Sequence, residues 1–379
     1  MKKIMVVAGE TSADLHGANL ITALKHICKE DIKVFGLGGQ KMRQAGAELL
    51  ADITAYSGTG LDPLRNLSRF SEIFRRLIHA ARSEKPDLAV LIDFPDFNLR
   101  LAKKLKAYGI KIAYYISPQV WAWRAGRINT IRKYVDKMLV LFEFEKDFYK
   151  RYNIEVEWVG HPLLDVIKPA TTTKQEIRQS LGLSPDGLII GILPGSRLSE
   201  FSRHFPVIVR ALPLIKSPQP IRYIMGAAPN ISQKTINEYM PAGRKPDVSV
   251  YYSRTYDVIR AADLLIAVSG TVTLESAIMG TPMLVIYKVS LMTELVLAPL
   301  VKIKKYSIVN IIAGKEVIPE LIQRKASPRR IADAVMELIK PGRLAEIRQG
   351  LAEVNQKLGS PGASTRAANA IREMITGKA

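Results

Sequence analysis

The arrangement of apolar residues along the chain restricts its fold more than any other feature. Short runs rich in Val, Ile and Leu alternate with longer stretches of helical periodicity, and this alternation occurs in each half of the chain. Runs of this kind are typical of buried parallel strands in βαβ units. Because crossovers between parallel strands are right-handed, two such series predict an α/β protein with two doubly wound, Rossmann-like domains. The predicted strands are Lys3–Ala8, Lys33–Gly36, Leu88–Asp93, Ile112–Ser117, Met138–Phe142 and Val156–Gly160, and then Leu188–Leu193, Ile221–Met225, Val248–Tyr252, Asp263–Val268 and Met283–Tyr287.

The length of the chain agrees with two domains, since 379 residues exceed the usual size of a single core. The boundary is expected near Asp165–Lys174, where Pro169 and a run of three threonines interrupt both patterns. We therefore predict an N-terminal domain over residues 1–168 and a C-terminal domain over residues 169–361. A last helix, over about 362–377, is expected to begin at a Ser364 cap.

The chain is strongly basic, with 55 Lys and Arg against 35 Asp and Glu and a net charge of +20. Such an excess suits anionic lipid, phosphorylated substrates or nucleic acid, although a basic proteome or solubility alone also accounts for it. Nucleic acid is disfavoured, because no recognised binding motif and no basic stripe with interleaved aromatics is present. A single cysteine, Cys28, and the lack of a signal-peptide or bilayer-spanning run predict a cytoplasmic protein.

Two carboxylates follow a predicted buried strand in the first half. Asp93 and Asp96 flank Phe94-Pro95, and the proline ends the strand so that both carboxylates can point into a crevice at the sheet edge. Neighbouring carboxylates in a partly apolar site tend to separate in pKa, which would leave one of them as a usable base. The structural alternative is that Asp96 or Asn98 only caps the following helix.

Two segments of the second half are typical of phosphate-binding turns. Gly195-Ser196-Arg197 follows a strand and precedes a helix that carries Glu200, so backbone amides, a helix N-terminus and a guanidinium are available to a phosphate. Ser269-Gly270-Thr271 repeats the arrangement, and Glu275, one turn later, is placed to accept the hydroxyls of a ribose. A tight turn and a helix cap are the structural alternatives. Two such loops in one half favour a nucleotide site.

Polar residues also follow the first strand. Glu10, Ser12 and Asp14 lie in a segment that lacks the G-x-G-x-x-G pattern of dinucleotide sites, which argues against an NAD enzyme. We expect these side chains to contact an acceptor substrate, with helix capping as the alternative. His16 and His161 are interpreted as loop histidines, since no metal-binding pattern accompanies them.

An amphipathic helix is predicted over Leu61–Arg82. Its apolar stripe fits packing on the sheet, and the alternative is an interfacial helix on an anionic membrane, where each basic group adds about 1 kcal/mol. Leu291–Tyr306, with three lysines after an apolar run, is a second interfacial candidate. The stripe residues considered for contact with membrane or acyl chains are Leu64, Leu67, Phe70, Phe74 and Leu77.

Together these segments resemble lipid-A-disaccharide synthases, the inverting glycosyltransferases of lipid A biosynthesis in Gram-negative bacteria. The resemblance covers nearly the whole chain and rests on six motifs in the order of the family. They are residues 8–14 (AGETSAD), 92–98 (IDFPDFN), 117–123 (SPQVWAW), 160–162 (GHP), 193–197 (LPGSR) and 269–275 (SGTVTLE).

The resemblance implies a GT-B fold, with two Rossmann-like domains facing a central cleft and the last helix returning to the first domain. It implies transfer of 2,3-diacylglucosamine from its UDP derivative to 2,3-diacylglucosamine 1-phosphate, which releases UDP. The essential aspartate of the family matches Asp93, its phosphate-side arginine matches Arg197, and a late asparagine matches Asn310, which is therefore expected on the nucleotide side. No metal or other cofactor is expected. The expected partners are the two acylated sugars and the inner-membrane surface with its anionic lipids, to which the protein would bind peripherally, and a homodimer is one of the expected assemblies.

One segment and one single position depart from the family pattern. Residues 56–63 (YSGTGLDP) are more polar than the corresponding family stretch, and Val309 replaces the proline before Asn310. Both fall on expected substrate contacts, so a paralogue with another lipid-linked or amino-sugar acceptor is an alternative. Others are a different UDP-sugar enzyme, such as the peptidoglycan N-acetylglucosaminyltransferase or a UDP-sugar epimerase, and a catalytically silent nucleotide- or lipid-binding protein.

Overall fold

The computed structural model of the chain describes residues 1–29, 31–53, 63–121, 126–168, 171–241, 246–289 and 305–377, without the side chains of residues 11 and 63–67. The chain divides into two compact units. The first unit contains Met1–Val166 and Leu358–Ala379, and the second contains Ile167–Lys357.

The first unit is built on a seven-stranded parallel sheet of order β3-β2-β1-β4-β5-β6-β7. Its strands are β1 (Lys2–Ala8), β2 (Ile32–Gly38), β3 (Glu48–Asp52), β4 (Leu88–Ile92), β5 (Lys111–Tyr115), β6 (Lys137–Val140) and β7 (Val156–Trp158). Its helices are α1 (Thr11–Ile27), α2 (Gln40–Gln44), α3 (Pro63–Glu84), α4 (Pro95–Lys106), α5 (Arg127–Tyr134), α6 (Phe144–Lys150) and α7 (Leu163–Val166), together with the last helix of the chain, Ala363–Thr376.

The second unit is built on a six-stranded parallel sheet of order β10-β9-β8-β11-β12-β13. Its strands are β8 (Leu188–Leu193), β9 (Ile221–Ala227), β10 (Val248–Tyr252), β11 (Leu264–Val268), β12 (Met283–Tyr287) and β13 (Glu320–Ile322). Its helices are α8 (Lys174–Ser180), α9 (Leu198–Ala211), α10 (Gln233–Tyr239), α11 (Thr255–Ala261), α12 (Thr271–Ile278), α13 (Ile308–Ala313), α14 (Pro328–Leu338) and α15 (Arg343–Lys357), with short 3₁₀ turns at Leu212–Leu214 and Gln323–Lys325. The last helix of the chain, Ala363–Thr376, belongs to the first unit and is labelled α16.

Both sheets reverse their strand order beside their first strand, between β1 and β4 and between β8 and β11. In the first sheet the register pairs Ala8 with Ile92, so the loops after β1 and β4 start side by side. In the second sheet Ala267 pairs with Leu193, which brings the loops after β8 and β11 together in the same way. Doubly wound sheets bind ligands outside the carboxyl ends of their strands at such switch points. Asp93, Gly195 and Ser269 follow β4, β8 and β11 and therefore lie at these switch points.

The last helix packs within the first unit, but Ser364 does not cap it. The residue before its first turn is Gly362. The cap comes instead from Asp165, whose carboxylate accepts hydrogen bonds from the backbone N–H groups of Gly362 (2.5 Å) and Ser364 (2.9 Å). The prediction of a Ser364 cap was wrong, because a carboxylate distant in sequence meets the orphan amides of the helix. Within the described ranges, no helix is long and apolar enough to cross a lipid bilayer.

Candidate active site

Asp93 lies directly after β4, at the switch point of the first sheet. Its carboxyl is partly buried, and burial together with repulsion from the Glu10 carboxylate raises its pKa from 3.8 to about 6, while a hydrogen bond from the Phe94 backbone acts in the opposite direction. A carboxylate with this pKa is ionised for the most part at neutral pH and is still basic enough to accept a proton from a substrate. Asp93 is therefore the candidate for a general base at this edge of the sheet.

Asp96 differs from Asp93 although it lies only three residues away. It occupies the first turn of α4, its side chain is 66% exposed, and it forms an ion pair with Arg127, whose side chain is 12% exposed. An exposed and paired carboxylate lacks the apolar surroundings that make a base at neutral pH. Burial thus distinguishes Asp93, which the family motif also singles out, from Asp96.

The four residues predicted on the acceptor side divide into two groups. Glu10 and Ser12 are exposed at the edge of the sheet. Asn98 is fully buried, and its amide Nδ2 donates to the carbonyls of Asp93 (2.8 Å) and Ile92 (3.2 Å). Asp14 is 4% exposed. Asn98 and Asp14 are therefore turned into the protein.

The carboxylate of Asp14 caps a neighbouring helix. It accepts hydrogen bonds from the backbone N–H groups of Gly39 (2.7 Å), Lys41 (3.1 Å) and Met42 (3.1 Å) at the start of α2. Asp14 therefore caps a helix, as the structural alternative predicted. The capped helix is α2, whose N-cap Gly39 lies 25 residues later, and not α1, which contains Asp14.

Phenylalanines from α3, from α4 and from the residue before α4 meet beside Asp93. The Phe94 ring stacks on Phe97 with centroids 5.3 Å apart, and Phe70 and Phe74 lie 5.8 Å from Phe94 and 5.5 Å from Phe97, respectively. Phe70 is 37% exposed, whereas Leu77 is fully buried in the core and Phe74 packs against that core. Leu77 therefore cannot contact a membrane or an acyl chain. The side chains of Leu64 and Leu67, the segment 54–62 and most of Leu291–Tyr306 lie outside the described residues.

Glu145 on α6 was not predicted from the sequence. Its carboxylate is 2% exposed and accepts hydrogen bonds from the backbone N–H groups of Leu141 (3.1 Å) and Phe142 (3.0 Å) and from Trp121 Nε1 (3.3 Å). Burial raises its pKa to about 7. Glu145 thus fixes the indole of Trp121 in the loop after β5, a contact that no local sequence signal reveals.

The second unit contains a cavity of about 440 Å³ at its switch point. Both predicted phosphate loops line it, and α9 and α12 begin at these loops. Gly195 has φ +104°, and a Cβ there would come within 2.7 Å of Glu200 Cβ, so this position requires glycine. The lining residues include Gly195, Ser196, Arg197, Glu200, Tyr256, Ser269, Gly270, Thr271 and Glu275. Two helix N-termini at one cavity favour the binding of an anion.

An ion pair at this cavity is placed so that a ligand can replace one of its partners. The Arg197 side chain is 72% exposed, and its Nη1 lies 3.2 Å from Glu200 Oε1. Such an exposed pair contributes little stability, so a phosphate can replace the carboxylate at the guanidinium. Deeper in the cavity, the Tyr256 hydroxyl donates to Glu275 Oε1 at 3.0 Å, and burial raises the pKa of Glu275. Tyr256 was not identified from the sequence.

Comparison with known proteins identifies the family. A family model for lipid-A-disaccharide synthetase matches residues 4–374. The chain is 43% identical over 376 residues to the lipid-A-disaccharide synthase of Geobacter sulfurreducens, which covers 98% of this chain and 97% of that protein. The chain belongs to the lipid-A-disaccharide synthase family. It is therefore a glycosyltransferase of lipid A biosynthesis, as the sequence motifs predicted.

Solved structures show the same fold at low sequence identity. Staphylococcus aureus MnaA in complex with UDP superposes with a TM-score of 0.68 at 14% identity, covering 99% of this chain and 97% of that one. MurG from Acinetobacter baumannii gives a TM-score of 0.60 at 12% identity, covering 98% and 100%. The predicted GT-B-like architecture of two parallel α/β sheets is confirmed.

The late asparagine of the lipid-A-disaccharide synthase pattern has a structural role in this chain. Asn310 is 1% exposed, its Nδ2 donates to the Ile318 carbonyl (2.7 Å) and to Glu320 (2.6 Å), and its Oδ1 accepts from the N–H groups of Val317 and Ile318. The nitrogen and the oxygen of the side-chain amide both form hydrogen bonds within the protein, so the structure does not present Asn310 to a nucleotide. At the preceding position, the backbone N–H of Val309 donates to Ser307 Oγ at 3.3 Å, a hydrogen bond that proline cannot make.

Among the residues that the structure describes, no group of three or more His, Cys, Asp and Glu side chains could hold a metal ion. His16 and His161 are both buried, and burial lowers the pKa of His16 to about 4 and that of His161 to about 3.

Proposed function

We propose that this chain transfers 2,3-diacylglucosamine from UDP-2,3-diacylglucosamine to the 6-hydroxyl of 2,3-diacylglucosamine 1-phosphate, with inversion. The products are the β-1′,6-linked disaccharide 1-phosphate and UDP. The proposal is carried by one combination of observations: a partly buried carboxylate of raised pKa at the first switch point, and at the second a cavity lined by Arg197 and by the loops that begin two helices.

On the donor side, the diphosphate of the UDP-sugar occupies the cavity of the second unit. The backbone N–H groups of Ser196 and Thr271 and the guanidinium of Arg197 bind its oxygens, and Arg197 leaves Glu200 to do so. These groups stabilise the negative charge that develops on departing UDP, a role in which one donor is worth roughly 3 kcal/mol. Glu275, oriented by Tyr256, accepts the hydroxyls of the ribose.

On the acceptor side, Asp93 accepts the proton of the 6-hydroxyl while that oxygen attacks the anomeric carbon. The bond from this carbon to the diphosphate breaks, UDP leaves with the electron pair, and the proton remains on Asp93. A positioned base of this kind contributes about 10²–10⁴-fold to the rate. Asp96, exposed and paired with Arg127, helps to hold α5 against α4 rather than moving a proton.

The proposal includes peripheral binding to the cytoplasmic face of the inner membrane. The apolar face of α3 packs on its own sheet, so the helix offers a bilayer its exposed basic residues Arg75, Arg76 and Arg82 and the partly exposed ring of Phe70. Basic groups near an anionic surface contribute about 1 kcal/mol each. We expect co-sedimentation with phosphatidylglycerol vesicles that is lost with phosphatidylcholine vesicles, and equal binding to both would contradict this part of the proposal.

The function is tested by UDP release in mixed micelles from UDP-2,3-diacylglucosamine, with and without 2,3-diacylglucosamine 1-phosphate. We expect release only with the acceptor, a loss of about 10²-fold or more in Asp93→Asn, and most of the rate retained in Asp96→Asn. Arg197→Ala should weaken UDP binding about tenfold. Arg203→Ala should not, because Arg203 lies within the helix that Arg197 precedes and donates to the Lys288 carbonyl. UDP release without the acceptor would indicate a hydrolase, and conversion of the UDP-sugar without acceptor and without net UDP release would indicate an epimerase. UDP binding without turnover on any acceptor would indicate a silent relative.

A further inference from the structure

The backbone at Asp93 is held in an unusual conformation. Asp93 and Phe94 have φ values of +47° and +49°, both in the left-handed region. Residues other than glycine rarely adopt this region, and two in succession persist only when the surrounding structure fixes them. Ile116, which follows the neighbouring strand β5, also has a positive φ of +65°. Three left-handed residues thus lie together at the edge of the sheet that carries the proposed base.

Two buried side chains hold the strained turn through the same atom. The carbonyl oxygen of Asp93 accepts a hydrogen bond from the Tyr114 hydroxyl at 2.6 Å and another from Asn98 Nδ2 at 2.8 Å. On the other side of the residue, the N–H of Asp93 donates to the Tyr115 carbonyl at 3.1 Å. Tyr114 and Asn98 are both 0% exposed. Neither side chain can therefore touch a substrate, and both act on the backbone of Asp93.

We propose that Tyr114 is a positioning residue for Asp93. Its hydroxyl, with the amide of Asn98, holds the Asp93 carbonyl and so keeps Asp93 and Phe94 left-handed, which sets the direction of the Asp93 carboxylate. Without the hydroxyl, one of the bonds that offset the backbone strain is gone, and the turn can relax toward the right-handed region. The carboxylate would then move relative to the acceptor hydroxyl. This inference rests on the proposed role of Asp93 as the base.

The chain offers a matched control one residue away. Tyr115 is also 0% exposed, but successive residues of a strand point to opposite faces, and its hydroxyl lies near Ser364 rather than Asp93. Tyr114→Phe and Tyr115→Phe each remove one buried hydroxyl from the same strand. Any general effect on the sheet should therefore appear in both variants, whereas an effect on the Asp93 turn should appear only in Tyr114→Phe.

The experiment measures acceptor-dependent UDP release at saturating acceptor, with the UDP-sugar varied. We expect kcat of Tyr114→Phe to fall about 10- to 100-fold, the range caused by misplacing a catalytic group by about 1 Å, with the KM for the UDP-sugar within twofold of wild type. Tyr115→Phe should keep kcat within about twofold. In an Asp93→Asn background, Tyr114→Phe should cause no further loss, because its effect passes through the carboxylate of Asp93.

Several outcomes would overturn the inference. It fails if Tyr114→Phe keeps the wild-type kcat, if Tyr115→Phe loses as much, or if the losses multiply in the Asp93→Asn background. If Tyr114→Phe does not fold, Asn98→Leu, which removes the second bond at similar volume, must show the same fall in kcat and the same lack of further loss. A wild-type protein without acceptor-dependent UDP release would instead refute the proposed function.

Discussion

Replacing Asp93 by Asn should make the protein more stable at pH 8 while lowering its activity about 10²-fold or more. Burial and the Glu10 carboxylate raise the pKa of Asp93 to about 6 in the folded protein, against 3.8 in an ordinary aspartate. Each pH unit between these values is worth about 1.36 kcal/mol, so keeping Asp93 ionised in the folded state costs up to about 3 kcal/mol. An asparagine of the same shape avoids this cost.

The pH dependence of the effect follows from the direction of the shift. Below pH 3.8 Asp93 is protonated in both the folded and the unfolded states, and its charge has no effect on stability. Between about pH 3.8 and 6 the unfolded state ionises first, so stability is lost as the pH rises, and above pH 6 the full cost is present. The gain from Asp93→Asn should therefore be roughly half complete at pH 5 and complete at pH 8.

Thermal unfolding of wild type and variant from pH 5 to 8 measures this gain. For a unit of this size about 3 kcal/mol corresponds to roughly 6–12 °C in Tm at pH 8. Asp96→Asn is the control, because its carboxylate is 66% exposed and ion-paired with Arg127, so its removal should give no gain that grows with pH. An Asp93→Asn variant that is no more stable than wild type at pH 8, or whose gain is the same at all pH values, would refute the reasoning.

Two further predictions concern the same edge of the first sheet. The acid limb of the kcat/KM profile should have its midpoint near pH 6, where Asp93 becomes protonated. Glu10→Gln should move this midpoint to lower pH but not as far as 3.8, because burial is the larger cause of the raised pKa. A midpoint that Glu10→Gln leaves unchanged would contradict this prediction. Gly9→Ala would place a Cβ 2.2 Å from Phe94 Cδ1, which should lower stability by about 1–3 kcal/mol in thermal unfolding and reduce kcat. Gly126→Ala, where no atom of the described residues lies within 4 Å of the added Cβ, should do neither.

Most strands were predictable because their signals are local. The runs Leu188–Leu193, Val248–Tyr252 and Met283–Tyr287 have the predicted boundaries. The strands β3 and β13 were missed. Glu48–Asp52 and Glu320–Ile322 are short edge strands that are only partly buried, so their composition does not show the continuous apolar run of a central strand.

The roles of individual polar residues were less predictable than the strands. Asn310 and Asp14 match patterns that suggest ligand contacts, yet both are turned inward, where they satisfy backbone groups of other segments. Glu145 and Tyr256 have no local signal, because each acquires its role from a partner about 20 residues away. A loop composition shows that polar groups are present, but the direction of each side chain depends on which strands pair.

The sequence by itself determined the two Rossmann-like sheets, the family and the loops at which substrates are expected. These properties follow from apolar periodicity and from short motifs, both of which are local in the chain. Only the tertiary structure decided that Asp93 rather than Asp96 is buried with a raised pKa, and that Tyr114 and Asn98 hold its strained backbone. The physical reason is that burial and hydrogen bonding arise from neighbouring strands and helices, whose side chains meet only once the sheet has formed.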